Sequence, residues 1–377
     1  MNQTIVYKNA SLYCSFPSVG KMRSGKLIVV FRAAGVFSVK AALAGSVTHH
    51  DADSAIFMSV SEDEGETWSD PIEIFRGVGT NGVNDPAITV LSDDSLLLRF
   101  VSLDVFDSKT FNRGADQNIF AHRVEHGTVC CIRGNQILRS FDEGRTWVDL
   151  GISNSEFLRD GCSRDPILEL SDGSLLMSYY RGQPVRTEES WLVRSFDGGH
   201  SWVQPTLIAS AGEDGSKSQQ HGINYSETSI VILENNRLLA LCRADESFCT
   251  VSGDFVPVGG LGYLRTSVSQ DAGLSWSPLL NTGIYGTPGS LCVLSTENIV
   301  ATYGYRSFPY GVRAVLSNDG GLSWNLDREI ILDQGSCSWD CGYPSTIALS
   351  SGKLLTVYYA NDSEGVRFIA SVKWRCH

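Results

Sequence analysis

An eight-residue pattern, Ser-x-Asp-x-Gly-x-Ser/Thr-Trp, occurs five times in the chain. The copies are "SEDEGETW" (61–68), "SFDEGRTW" (140–147), "SFDGGHSW" (195–202), "SQDAGLSW" (269–276) and "SNDGGLSW" (317–324). Each follows a short apolar run with strand character, such as "AIFMSV" before the first and "SWLVR" before the third. The pattern therefore reads as the turn of a β-hairpin. Ser and Asp side chains bond to turn backbone, Gly supplies a positive φ, and Trp is large enough to fill a gap between sheets. A calcium loop would need more oxygen ligands than these turns offer.

A second repeat lies between the boxes. A turn followed by an apolar strand recurs six times: "SGKLIVVF" (24–31), "DDSLLLRF" (93–100), "DGSLLMSYY" (172–180), "NNRLLALC" (235–242), "TENIVATY" (296–303) and "SGKLLTVYY" (351–359). Each is preceded by another short apolar segment, "DPAITVL" and "YPSTIAL" among them. The unit is strand A, turn, strand B, connection, strand C, Asp-containing turn, strand D. Six such units average about 63 residues each, the size of a propeller blade. The expected fold is all-β: one six-bladed β-propeller of four-stranded antiparallel blades, residues 1–377. The sixth unit has no box and ends in "VRFIASVKW" (366–374). The N-terminal "TIVYKN" (4–9) is expected to supply its outer strand and close the ring.

Composition narrows the function. Net charge is −12 with scattered Lys and Arg, which argues against a nucleic-acid surface. No apolar run is long enough to span a membrane. The start, "MNQTIVYKNASLY", lacks a basic segment followed by an apolar core, so the cytoplasm is the expected compartment, with a mature secreted form as the alternative. Ten cysteines are present; Cys242 and Cys292 fall in expected strands, while Cys337 and Cys341 are spaced to pair or bind metal but have no second ligand pair. Reduced thiols are expected, and no metal or cofactor. Oligomeric state is left open.

Topology places the chemistry. The boxes are C–D turns and mark one end of the ring. The start of A, the end of B and the B–C connection mark the other. Aligned on the start of A, the units present Phe16, Asp85, Asp165, Glu227, Thr287 and Tyr343. Arginines 32, 181 and 243 close B strands, and Arg306 follows one. Acids, a tyrosine and arginines are thus expected around one mouth of the channel. Two long B–C connections, 33–54 and 102–134, should overhang it; His122, Arg123 and His126 lie on the second, and His221 precedes Glu227.

Along essentially its whole length the chain resembles the sialidases (neuraminidases) and their six-bladed Asp-box relatives. The resemblance implies a retaining exo-glycosidase that removes a terminal acidic sugar from a glycan. It implies three arginines on the substrate carboxylate: Arg32 in "VVFRAAG", Arg243 in "LLALCR", and Arg306 in "YGYRSFPYGVR", with Arg313 as rival. It implies a Tyr343 nucleophile paired with Glu227, from "CGYPSTIAL" and "YSETSIVIL". The acid/base falls in "THHDADSAIF": Asp51, then Asp53, with His50 outside them. Asp85 and Asp165 are further substrate-binding candidates. Ala33-Ala34 after Arg32, and Pro344 after Tyr343, depart from the family pattern and bear on the substrate rather than the fold. Competing readings are a glycosidase for an arabinan-type sugar using Glu227 with Asp85 or Asp165, a uronic-acid lyase, and a non-catalytic carbohydrate-binding propeller.

Overall fold

A computed structural model of the chain describes residues 2–43, 49–109, 111, 122–125, 127–153, 155, 157–158, 161–182, 188–210, 221–249, 255–257 and 262–376. Its strands form six antiparallel sheets, each built on four strands A to D, with a short fifth strand added in blade 2 (His122–Glu125) and blade 4 (Phe255–Pro257). Blade 1 is Tyr13–Lys21, Leu27–Ala34, Ala55–Ser61 and Ile72–Arg76. Blade 2 is Asn81–Val90, Leu96–Asp107, Thr128–Ser140 and Val148–Ser153. Blade 3 is Leu168–Glu169, Leu175–Arg181, Glu189–Ser195 and Val203–Ala209. Blade 4 is His221–Ile232, Leu238–Cys249, Tyr263–Ser269 and Leu280–Tyr285; blade 5 is Gly289–Val293, Ile299–Tyr305, Gly311–Ser317 and Ile330–Asp333. Blade 6 is Gly342–Ala348, Leu354–Asn361 and Arg367–Trp374, completed by Gln3–Lys8 from the N-terminus. The closure expected of "TIVYKN" is therefore present.

The ring is held by apolar cores between blades. One cluster joins blades 1 and 2 through Ile28, Val30, Met58, Leu96 and Leu98. Others join 2 to 3, 3 to 4, 4 to 5, 5 to 6, and 6 back to 1. Each sheet presents one face to each neighbour, so its strands are apolar on both faces. This explains the continuous runs such as Leu27–Phe31, which a one-sided sheet would break with polar residues.

The five boxes behave as turn scaffolds. In each, the Ser hydroxyl donates to the Asp carboxylate and accepts the amide of the Gly four residues on. The Asp carboxylate also accepts the amide and hydroxyl of the following Ser/Thr. These bonds hold Asp63, Asp142 and Asp271 down at about 2. Each box Trp packs between its own blade and the preceding one, as with Trp202 against blade 2 and Trp324 against blade 4. Blade 6 dispenses with the box, and Trp374, bonded to Thr356 Oγ1, fills the seam with blade 5.

Two features differ from the all-strand expectation. Residues Val36–Leu43 of the first B–C connection form an α-helix, with Ala42 packed on Tyr13 and Ala34. Much of the second connection is strand, because strands B and C of blade 2 run on to Asp107 and start again at Thr128. His126 lies outside the described residues, as do the side chains of His122, Arg123 and His221. Among the described residues Cys14, Cys292, Cys337, Cys341 and Cys376 are free thiols, Cys337 exposed and Cys341 buried.

The box Gly has φ of +91° at Gly273, and a Cβ there would lie 2.3 Å from Leu192 Cδ2 of the preceding blade. Gly273→Ala should therefore destabilise the protein by about 2 kcal/mol or more, the cost of left-handed strain plus the clash. Chemical denaturation of the two proteins measures it.

Candidate active site

The site is made by one backbone device used four times. In blade 1, Ser15 pairs with Arg32 and Ser18 with Val30, so strand A carries one extra residue there. The same register break occurs between Asn84 and Ala87, Ser226 and Ser229, and Gly342 and Ser345. Each is a β-bulge, which re-aims the side chain it carries. The bulged residues are Phe16, Asp85, Glu227 and Tyr343, with φ of +53°, +44°, +21° and +50°. Positive φ is uncommon for such residues and marks a local cost accepted for placement. Blade 5 keeps regular register throughout its A–B pairing, and in blade 3 Asp165 precedes the two-residue A strand.

The bulges bring the expected nucleophile pair together. The Tyr343 hydroxyl donates to Glu227 Oε1. Arg243 Nη1 donates to Glu227 Oε2 at 2.5 Å, and its Nε donates to Asp245 at 2.7 Å. Arg243 stands opposite Ser226, beside the bulge that carries Glu227. Arg306 lies with its guanidinium carbon 5.3 Å from the Tyr343 ring centre, and donates to the Cys341 carbonyl at 3.2 Å. Its rival Arg313 stands on strand C, ion-paired with Glu329 over the Tyr305 ring. Arg181 donates to the Phe157 carbonyl and covers Trp191, apart from this group.

Arg32 and Asp51 also meet, but they face each other. Arg32 Nη2 donates to Asp51 at 2.6 Å, and the two side chains are 0% and 1% exposed. Arg32 Nε donates to the Val83 carbonyl of blade 2, and Ser38 of the helix donates to the same Asp51 oxygen. Arg32 thus stands at the right height but is committed to joining blades 1 and 2. Asp53 is exposed and His50 buried. Asp165 accepts the Ile230 amide at 3.1 Å and so ties blade 3 to blade 4.

Three features escaped the sequence reading. Arg164, one residue before Asp165, reaches across the channel: it donates to the carbonyls of Gly289 in blade 5 and Pro344 in blade 6 at 2.7 and 2.6 Å. Its guanidinium carbon lies 5.4 Å from the Tyr343 ring centre. Arg99 is fully buried and donates to the carbonyls of Asp85, Ser163 and Asp165. His49 contacts Tyr13 and Asp340, and its ring lies 4.9 Å from that of Phe16. A cavity of about 410 Å³ between Lys21, Thr89 and Ile232 opens where the A strands end, away from all of these groups.

Electrostatics separates the two central carboxyls. Burial pushes Glu227 up, but Arg243 and the Tyr343 hydroxyl outweigh it and hold the group below its usual range, so it is an anion. Asp85 has no such partner. Burial, then the charge of Glu227, raise it to about 6, against the opposing pull of Arg99, His49 and Arg164. Asp85 Oδ1 is buried without a hydrogen-bond partner. Tyr343 is raised well above its usual value by burial and by Glu227 and Asp85, which keeps it a phenol at rest. A neutral hydroxyl, a carboxylate to take its proton and two guanidiniums over its ring can attack an electrophilic carbon beside an anionic group.

A six-bladed propeller with a tyrosine–glutamate pair under arginines at the channel mouth is of the sialidase-like class. The chain belongs to the BNR repeat-like domain family, whose profile matches residues 39–356. A sialidase of Bacteroides fragilis (strain YCH46) is 21% identical over 345 residues, covering 83% of this chain and 55% of the relative. The chain therefore spans about half the length of that curated relative. Among solved structures, a protein of unknown function from Dyadobacter fermentans DSM 18053 superposes with a TM-score of 0.78 at 22% identity, covering 100% of this chain and 98% of the other. The Hadza microbial sialidase Hz136 gives 0.65 at 16%, covering 96% and 66%. The α-L-arabinanase of Penicillium chrysogenum gives 0.61 at 14%, covering 99% and 98%. At these identities the structures share the fold, and the fold serves more than one sugar.

Asp85 binds its proton more tightly in the folded state than its ordinary 3.8, so its ionisation costs stability as pH rises through about 6. The stability of Asp85→Asn relative to wild type should therefore improve by on the order of 2–3 kcal/mol between pH 4 and pH 8. Urea unfolding at both pH values measures this; a pH-independent difference would refute the burial argument.

Proposed function

We propose that the protein is a retaining glycoside hydrolase of the sialidase type, acting on a terminal acidic sugar, with sialic acid the first candidate. The observation that carries this is the hydrogen bond from Tyr343 to Glu227, with Arg243 on the far oxygen of the same carboxylate and Arg306 over the tyrosine ring.

A sugar with a carboxylate on its anomeric carbon repels a carboxylate nucleophile. A phenol that sheds its proton only as it attacks avoids that repulsion. Tyr343 Oη forms the bond to the anomeric carbon, its proton passes to Glu227, and the glycosidic C–O bond breaks. Tyrosine nucleophiles are a recognised exception to the two-carboxylate rule for glycosidases. Arg243 and Arg306 supply charge-assisted hydrogen bonds for the substrate carboxylate, each worth about 1.5–3 kcal/mol. Arg32 would join them only if its pairing with Asp51 opened. Asp85, beside them, accommodates a polar substituent of the ring, as donor when protonated and acceptor when ionised. The leaving oxygen needs a proton, and Asp51 is poorly placed to give it: its Oδ2 is held by Arg32 and by Ser38 of the helix, and its Oδ1 is buried.

The test is release of 4-methylumbelliferone from its sialoside beside a panel of neutral and uronic glycosides. The sialoside alone should be turned over. Tyr343→Phe should lower kcat by about 1,000-fold or more, and Arg243→Ala should lower kcat/KM by about 100-fold or more. Turnover of an arabinoside with Tyr343→Phe at wild-type rate would instead identify the Glu227 and Asp85 carboxyls as the working pair.

A further inference from the structure

We propose that His49, oriented by Asp340, is the catalytic acid/base of this site: it protonates the leaving oxygen and then draws a proton from the attacking water. This rests on the glycosidase reading above.

His49 is placed for the role in a way Asp51 is not. Its side chain is 22% exposed, against 1% for Asp51, so a leaving group at the channel mouth can reach it. Its ring meets Phe16 edge-on at 4.9 Å, and Phe16 meets the Tyr343 ring at 4.6 Å. One aromatic ring therefore separates the imidazole from the nucleophile. His49 Nε2 lies 3.2 Å from the Tyr13 hydroxyl and 3.4 Å from Asp340 Oδ1. With Nε2 so held, proton transfer is assigned to Nδ1, the other ring nitrogen.

Asp340 has the properties of an orienting group. It is fully buried, and it accepts from Tyr13 at 2.6 Å, Tyr359 at 2.8 Å and Arg367 Nε at 2.8 Å. Three fixed donors leave it one direction in which to hold the imidazole. Tyr359 lies 3.5 Å from Arg306 Nη2, so the same network reaches the substrate-carboxylate side of the pocket. A buried carboxylate on one imidazole nitrogen fixes the orientation of the ring and leaves the other nitrogen to exchange a proton, the arrangement seen in histidine acid/base groups. The charged and titratable groups around His49 are Tyr13 from blade 1, Asp340 and Arg367 from blade 6 and its approach, and Asp85 in the neighbouring blade 2.

In the first step imidazolium Nδ1–H is given to the glycosidic oxygen as the C–O bond breaks, while Tyr343 Oη bonds to the anomeric carbon and its proton moves to Glu227. In the second, neutral Nδ1 takes a proton from water, the water oxygen displaces Tyr343, and Glu227 returns its proton to the phenol. Asp340 acts through His49 and is a positioning residue.

The experiment compares two glycosides of the same sugar, one with an aryl leaving group that departs without protonation and one with an alkyl leaving group that needs it. His49→Gln should lose about 100-fold or more in kcat/KM on the alkyl glycoside and less than about 10-fold on the aryl one. Asp340→Asn should show the same leaving-group pattern more weakly, and imidazole should restore rate to His49→Ala. Equal losses on both glycosides, or wild-type rates on both, would overturn the assignment; the pattern in Asp51→Asn alone would move the role to Asp51. A wild-type protein inactive on both would sink the glycosidase reading itself, and this inference with it.

Discussion

One extra residue in each of four inner strands determines what this propeller can do. A regular strand at the channel wall alternates its side chains between the two neighbouring blades, and none points along the bore. The bulges at Phe16, Asp85, Glu227 and Tyr343 break that alternation at the same height. Each holds a non-glycine residue at positive φ, at a cost of order 1–3 kcal/mol. The cost is tolerable because six inter-blade cores fix the strands on both sides. The site is thus strained locally and rigid globally.

The two ends of the ring divide the work. At one end the box hydrogen bonds and tryptophans set the spacing between blades without touching ligand chemistry. At the other, buried arginines perform both structural and electrostatic duties. Arg164 and Arg99 bind backbone carbonyls across blade boundaries. Both charges favour ionised Asp85, and that of Arg164 also favours ionised Glu227. Neighbouring carboxyls then diverge: Glu227, with Arg243, stays ionised, while Asp85, without a partner for one oxygen, is raised to about 6. Carboxyls driven apart in this way are the usual signature of groups with different duties.

Most of the fold was legible in the sequence because it repeats. Five boxes and six A–B units specified blade number, strand order and the N-terminal closing strand. Within the site, Glu227, Tyr343, Arg243 and Arg306 were legible because they sit at aligned ends of aligned strands. The bulges were not, since one extra residue leaves no compositional trace. Arg164 and Arg99 were not, since a side chain that bonds to carbonyls has no sequence partner to find. Asp51 was recognisable as near the site, but its burial against Arg32 depends on the helix Val36–Leu43, which breaks the strand pattern. The pairing of His49 with Asp340 spans 291 positions and no repeat relates them.

As nucleophile, Tyr343 would form a covalent bond to sugar. A fluorinated glycosyl fluoride of the substrate sugar forms the intermediate readily but releases it slowly, so peptide mass mapping of the treated protein locates the bond. The added mass is expected on the peptide carrying Tyr343, and none when Tyr343 is replaced by Phe. A stable adduct on Glu227 or Asp85 with Tyr343 unmodified would contradict it.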